Sequence, residues 1–418
     1  MRPIGSKVGD LAQDTRTPLK TGWYLLGPAF VAAIAYVDPG NVAANVSAGA
    51  EYGYLLLWVI MAANATAALV QYLSAKLGLV AGKSLPEAVG ARMRRSTRLA
   101  YWAQAELVAM ATDLAEVVGG AIALDILFHL PLLIGGVITG AVSLLLLIVQ
   151  NRHGQRMFER VIEGLLVVIA VGFAASFFVK TPPPGAVITG LLPRFRGTES
   201  VLLAAAILGA TVMPHAVYLH SGLALDRHGH PETGPQRRRL LRATRWDVGL
   251  AMFIAGAVNA AMLLVAAINL QGRDNSGSIR RAYEAVHTTL GPTIALLFAV
   301  GLLASGLAST SVGAYAGAVI MHGLLHRSIP VLVRRVITLI PALVILASGL
   351  NPTRALVLSQ VVLSFGIPFA LVPLVRLTGD PVLMGDDTNG RLTAVAGWTV
   401  TALISLLNGA LIFLTVTG

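Results

Sequence analysis

Asp38-Pro39-Gly40-Asn41 stands in the middle of an apolar stretch, Trp23 to Ala50, long enough to cross a bilayer. A carboxylate at that depth costs roughly 2.5–3.5 kcal/mol on insertion scales, and an acid placed there marks a functional site. Pro39 has no N–H to continue the helical ladder and Gly40 adds conformational freedom, so the helix breaks there. Broken backbone at membrane depth is tolerated only where it is buried in protein or lines a cavity. The stretch therefore gathers a carboxylate, an amide and freed carbonyls at one midplane point. That is the outline of a cation site.

The rest of the chain has the composition of a membrane protein. Of its 418 residues 56% are hydrophobic and 12% charged, against about 25% charged in a soluble protein. Eleven apolar segments reach spanning length, near 23–50, 54–77, 99–124, 132–150, 158–179, 201–220, 247–268, 289–321, 332–349, 355–375 and 393–416. The fold class is all-α and polytopic. The eighth segment is overlong, which calls for tilt or a helical extension beyond the membrane. A formal charge of +11 raises nucleic acid as a partner, but its placement speaks against that. With residues 1–22 as a cytoplasmic tail and the loops alternating, 24 of the 31 Lys+Arg fall inside and 7 outside. That asymmetry is the positive-inside rule; it puts Gly418 outside, and lipid headgroups are compatible neighbours for the Arg runs. There is no cysteine, hence no disulfide and no thiolate metal site.

The sixth segment repeats the device of the first. Val212-Met213-Pro214-His215 breaks it as Val37-Asp38-Pro39 breaks its counterpart, with five segments between, so the second copy enters from the opposite side. Two proline-broken spans at corresponding positions are the mark of an inverted repeat with a midplane site. Repeat one covers about 23–179, repeat two about 201–375, and the segment at 393–416 lies outside the repeat as a peripheral helix carrying Asn408. All of 23–418 forms one transmembrane domain. The third segment carries Glu106, Asp113 and Glu116 on one helical face. Such a stripe serves either as a proton relay or as a salt-bridge ladder to Arg334 and Arg335 of the ninth segment. Asn64 and Gln71 of the second segment suit hydrogen bonds to a neighbouring helix, and the small residues of the eighth suit close packing. Gln360 in the tenth is either a packing amide or a late metal ligand. The Lys180–Ser200 connection, with three consecutive prolines, reads as a surface linker, and His228 with His230 as an exposed pair.

The two breaks together offer the Asp38 carboxylate, the Asn41 amide oxygen, the Met213 sulfur and backbone carbonyls. Hard ions want oxygen alone, whereas a thioether favours softer transition metals. One anionic charge in a mixed O/S shell suits Mn²⁺ or Fe²⁺ and admits Cd²⁺. An amino-acid carrier of the same fold is the alternative, but Asp38 would repel a carboxylate. A membrane-embedded hydrolase would need a His-Glu-x-x-His or a paired nucleophile, and none is present.

Asp38-Pro39-Gly40-Asn41, Met213-Pro214-His215, Ala111-Thr112-Asp113-Leu114-Ala115-Glu116 and Arg334-Arg335 resemble the signatures of the NRAMP family of divalent-metal transporters, over nearly the whole chain. The resemblance implies a LeuT-like five-plus-five fold and proton-coupled uptake of Mn²⁺ or Fe²⁺, with Cd²⁺, Co²⁺ and Zn²⁺ as further cargo, by a monomer in the cell membrane. It implies no catalysis and no cofactor beyond the cargo and H⁺. Metal contacts would come from Asp38, Asn41, Met213 and the carbonyls of Ala35 and Ala210, with Gln360 joining in some states. Proton movement would involve His215, Asp113, Glu116, Glu106, Arg334 and Arg335. Ala216 and Gly306-Leu307 depart from patterns seen in relatives, but neither belongs to this ligand set.

Overall fold

The computed structural model describes residues 29, 36–153, 182–272, 278–325 and 331–417, and every regular element among them is helical. The first break opens α1, Pro39–Tyr52. Pro39 sits in its first turn, where a missing N–H costs nothing, and the Asp38 side chain caps it. Then follow α2 (Leu57–Ala81), α3 (Arg95–Phe128) and α4 (Leu132–His153). The second break divides α5 (Gly197–Thr211) from α6 (Pro214–His228). The remaining long helices are α7 (Pro235–Asn269), α8 (Pro292–Leu325), α9 (Val331–Ala347), α10 (Pro352–Thr378) and α11 (Arg391–Thr417). Among the described residues 7 helical runs are long and apolar enough to span a membrane, with α5 and α6 taken as one run across their break. The fifth predicted segment, 158–179, and most of the N-terminal half of the first lie outside the described residues.

The overlong eighth segment is a continuous helix of 34 residues, α8. An amphipathic helix, Ile279–Leu290, precedes it and is tied to α3 by an Arg280–Asp125 ion pair. The expected linker before α5 is not wholly irregular: its prolines start a short helix, Pro184–Gly190, because proline's fixed φ suits a first helical turn. After α10 the chain is strapped down by three contacts of 2.9 Å, Arg92–Asp380, Arg237–Asp387 and Lys76–Asn389. The Arg92 hydrogen bond holds the Asp380 carboxyl below the usual carboxylate range.

The helices approach closely because their contact faces carry glycine. α8 lies along α3, α1 along α7, α10 along α5, and α6 along α2. A Cβ on Gly119 of α3 would fall 2.1 Å from Pro39 Cβ, so the first break nests on α3. The same holds where α2 meets α6, since a Cβ on Gly78 would fall 2.1 Å from the Ser221 carbonyl oxygen. Gly78→Ala should therefore force two backbones apart and cost about 1–3 kcal/mol. Gly249→Ala on α7, with nothing within 4 Å, serves as the control. Thermal unfolding in detergent should show a lower midpoint for the first variant and an unchanged or raised one for the second.

Candidate metal site

In an α-helix the N–H of residue i bonds the carbonyl of residue i−4. Pro214 has no N–H, so the carbonyl of Ala210 loses its helical donor. Asn41 of α1 replaces it, donating Nδ2 to Ala210 O at 2.9 Å. The same amide donates to Asp38 Oδ1 at 2.8 Å, and the Asn41 backbone N–H reaches that oxygen at 2.7 Å. One side chain thus joins the two breaks predicted from sequence. Asp38 is fully buried, and its Oδ2 has no hydrogen-bond partner among the described residues. A buried carboxylate oxygen without a donor is costly unless a cation or a proton completes it.

Gln360 comes to this place from α10. A Cβ on Gly40 would fall 2.0 Å from its Nε2. Nε2 donates to Ser359 Oγ at 3.1 Å, and Oε1 is buried with no partner among the described residues. Gln360 is thus both a packing amide and an open acceptor. Met213 ends the break before α6 and is fully buried against Val108, Leu219, Val312 and Leu363. Ala35, the carbonyl donor expected from the first span, lies outside the described residues. His215 is buried in the first turn of α6, directly after Pro214, with Nδ1 3.2 Å from Thr112 Oγ1 of α3. Among the described residues no three His, Asp or Glu side chains converge on one point, so any metal here relies on a single acid with neutral donors.

The acidic face of α3 meets α9 as the salt-bridge reading requires. Glu106 accepts from Arg334 Nε at 2.8 Å. Asp113 pairs closely with Arg335. Glu116, fully buried, is held more loosely: Oε2 is 3.5 Å from Arg335, and Oε1 has no partner among the described residues. Thr310 and Ser143 complete the Arg335 guanidinium at 3.3 and 3.2 Å. The glycines of α8 make room, since a Cβ on Gly317 would fall 1.6 Å from Arg334 and one on Gly313 3.2 Å from Glu116 Oε1. Glu106 and Asp113 are the closely paired acids; among the described residues Glu106 Oε2 and Glu116 Oε1 both lack partners, and Glu116 is the acid that is both fully buried and loosely paired.

Sequence reasoning passed over a second polar chain beside the site. Gln71 of α2 donates to Tyr36 OH, two residues before Asp38, and its Oε1 lies 2.6 Å from His220 Nδ1. That contact puts the His220 proton on Nδ1 and leaves Nε2 buried without a partner. Asn259 donates to the Tyr36 carbonyl at 2.9 Å and accepts from Asn45 at 2.8 Å. Asp247 of α7 accepts the Ala29 N–H at 3.0 Å. The one available signal was polar side chains inside apolar spans. His230 is exposed as expected, with its ring lying over Gly82 and Nδ1 3.1 Å from the Leu79 carbonyl, while His228 is half-buried.

The model of the family described as Natural resistance-associated macrophage protein-like matches residues 29–414. The chain belongs to this Nramp family. A relative in Mycobacterium tuberculosis, the Divalent metal cation transporter MntH, is 77% identical over 414 residues, 99% of this chain and 97% of the relative. The crystal structure of the Eremococcus coleocola manganese transporter, an Nramp relative at 32% identity, superposes with a TM-score of 0.79 over 94% of this chain and 87% of that one. Mhp1, a nucleobase-cation-symport-1 family transporter in a closed conformation, matches at 16% identity with a TM-score of 0.60 over 93% of this chain and 90% of that one. That likeness concerns the fold alone, a multi-pass helical bundle with two broken helices.

Removing Arg335 would strand two buried carboxylates, so Arg335→Met should cost about 3–5 kcal/mol. Glu116→Gln removes a charge that is only loosely paired and should keep the fold. Midpoints of thermal unfolding that fall equally in both variants would contradict this division of roles.

Proposed function

We propose that this Nramp chain is a transporter, not an enzyme, that takes up Mn²⁺ and Fe²⁺ across the cell membrane with protons, by alternating access. The observation that carries the reading is the pair of buried acceptors Asp38 Oδ2 and Gln360 Oε1, to which the described residues supply no donor where Asn41 ties the two breaks together. Acceptors without donors, beside a thioether and proline-freed carbonyls, are what a divalent transition metal requires on losing its water. Asp38, Asn41, Met213, Gln360 and the carbonyls of Ala35 and Ala210 form the proposed shell. Met213 supplies the bias against Ca²⁺ and Mg²⁺, because its soft sulfur competes poorly with water for hard ions.

Charge balance supports the proton part. Asp38, Asp113 and Glu116 are buried and Glu106 is partly buried, and the ion pairs described for this group come from Arg334 and Arg335 alone. One divalent ion, or protons in its place, restores neutrality. Glu116 is the proposed proton acceptor, with Asp113, Glu106 and the two arginines as the path, and His215 with Thr112 as its link to the metal site. The basic residues place the N-terminus in the cytoplasm. The cavity of about 360 Å³ lined by Glu51, Glu199 and Arg354 then faces outside, above a site whose side chains are fully buried.

Uptake into proteoliposomes carrying metal and pH dyes tests the reading. Asp38→Asn should reduce Mn²⁺ uptake to background. Met213→Ala should keep part of it while excess Ca²⁺ begins to compete. Glu116→Gln should uncouple internal acidification from metal entry. Saturable Mn²⁺ uptake by Asp38→Asn at the wild-type rate would refute the site. The native chain has no cysteine, so a cysteine introduced at Thr233 should react from the cytoplasmic side alone. Labelling from outside intact cells would reverse the orientation.

A further inference from the structure

α10 is one helix, yet it contains two internal prolines, Pro368 and Pro373. Each removes the N–H that would bond the carbonyl four residues earlier, so Ser364 O and Phe369 O lose their helical donors. Both are answered from other helices. Tyr101 of α3 donates its hydroxyl to Phe369 O, and Tyr218 of α6 lies 2.7 Å from Tyr101. Asn408 of α11 donates Nδ2 to Ser364 O at 2.8 Å and accepts the Ser364 hydroxyl at Oδ1 at 2.9 Å.

This makes α11 more than the peripheral helix expected from sequence. Its buried residues are Gly397, Thr401, Ile404, Asn408 and Leu411, one stripe at helical spacing, and α11 packs on α10 and α5. Asn408 is the member of that stripe that reaches a proline-freed carbonyl. The turn it holds is the turn that carries Gln360. Gln360 lies one turn before Ser364, and a Cβ on Gly209 would fall 1.8 Å from Gln360 O and 2.8 Å from Ser364 N. No side chain fits between this turn and the α5 residue next to Ala210. A small shift of the turn therefore moves the Gln360 amide relative to Asp38 and Gly40.

We propose that Asn408 is a positioning residue: by holding the carbonyl that Pro368 frees, it fixes the Gln360–Ser364 turn of α10 and sets the Gln360 amide in the metal site. The proposal rests on the metal reading of Gln360 given above. It separates Asn408 from the ion itself, because its amide oxygen and nitrogen are both engaged with Ser364.

A double-mutant cycle tests it. Asn408→Leu, similar in shape but without the amide, and Asn408→Ala should each raise KM for Mn²⁺ uptake about 10-fold, the lower end of what losing an outer hydrogen bond does to a metal site, while kcat changes less. In Pro368→Ala an N–H returns to Ser364 O, so removing Asn408 in that background should add little: the double variant should match Pro368→Ala alone. A KM loss of the same size in both backgrounds, or none from Asn408→Leu, would overturn the proposal. Thermal midpoints of the same four metal-free proteins should be non-additive. They read the contact even if the wild-type chain carries no Mn²⁺, a result that would fail the transport reading. Additive midpoints would overturn the proposal on their own.

Discussion

The structure depends on a bond that proline cannot make. In a bilayer an unsatisfied backbone carbonyl costs several kcal/mol, so a proline at a break or inside a helix creates a demand that, at three places here, another helix meets. Asn41 meets it at Ala210, Asn408 at Ser364 and Tyr101 at Phe369. The first contact joins α1 to α5, the second α11 to α10, and the third α3 to α10. A break that would weaken a soluble helix here becomes an inter-helix bond with a fixed register. The carbonyl and carboxylate oxygens at the first junction are the ones assigned to the proposed metal shell.

The ionic layer between α3 and α9 provides the frame around this junction. Arg335 answers Asp113 closely and Glu116 loosely, and α8 comes near enough only because Gly313 and Gly317 carry no side chain. Buried ion pairs are poor stabilisers but costly to break, so the arginines fix where α9 must lie. Among the described residues one oxygen of the fully buried Glu116 is unanswered, which is why the proposed proton step is placed there rather than at Asp113.

Much of this was legible in the chain. Asp38 and the acids of α3 stand out because charge inside an apolar span is expensive, and the two prolines stand out because they end helices. Those arguments need only the sequence; they point to Asp38, Asn41 and Met213 as candidates, and they anticipate the pairing of the α3 acids with Arg334 and Arg335. The amides were harder. An asparagine in a membrane helix announces that it has a partner but not which one, so Asn408 reads as peripheral until Ser364 is seen beneath it. The Tyr36–Gln71–His220 chain fails for the same reason, since its members lie on three helices with no shared motif. Pro368 was visible, but the i−4 carbonyl it frees becomes meaningful only once a donor is found beside it.

The account holds that a divalent metal sits where the two breaks meet, with one sulfur among oxygens. X-ray absorption at the metal edge of Mn²⁺- or Cd²⁺-loaded protein measures that shell directly. The account predicts a mainly oxygen environment containing a single sulfur scatterer, which disappears in Met213→Ala while the metal stays bound. An all-oxygen shell in the wild type, or a sulfur signal that survives the substitution, would contradict it.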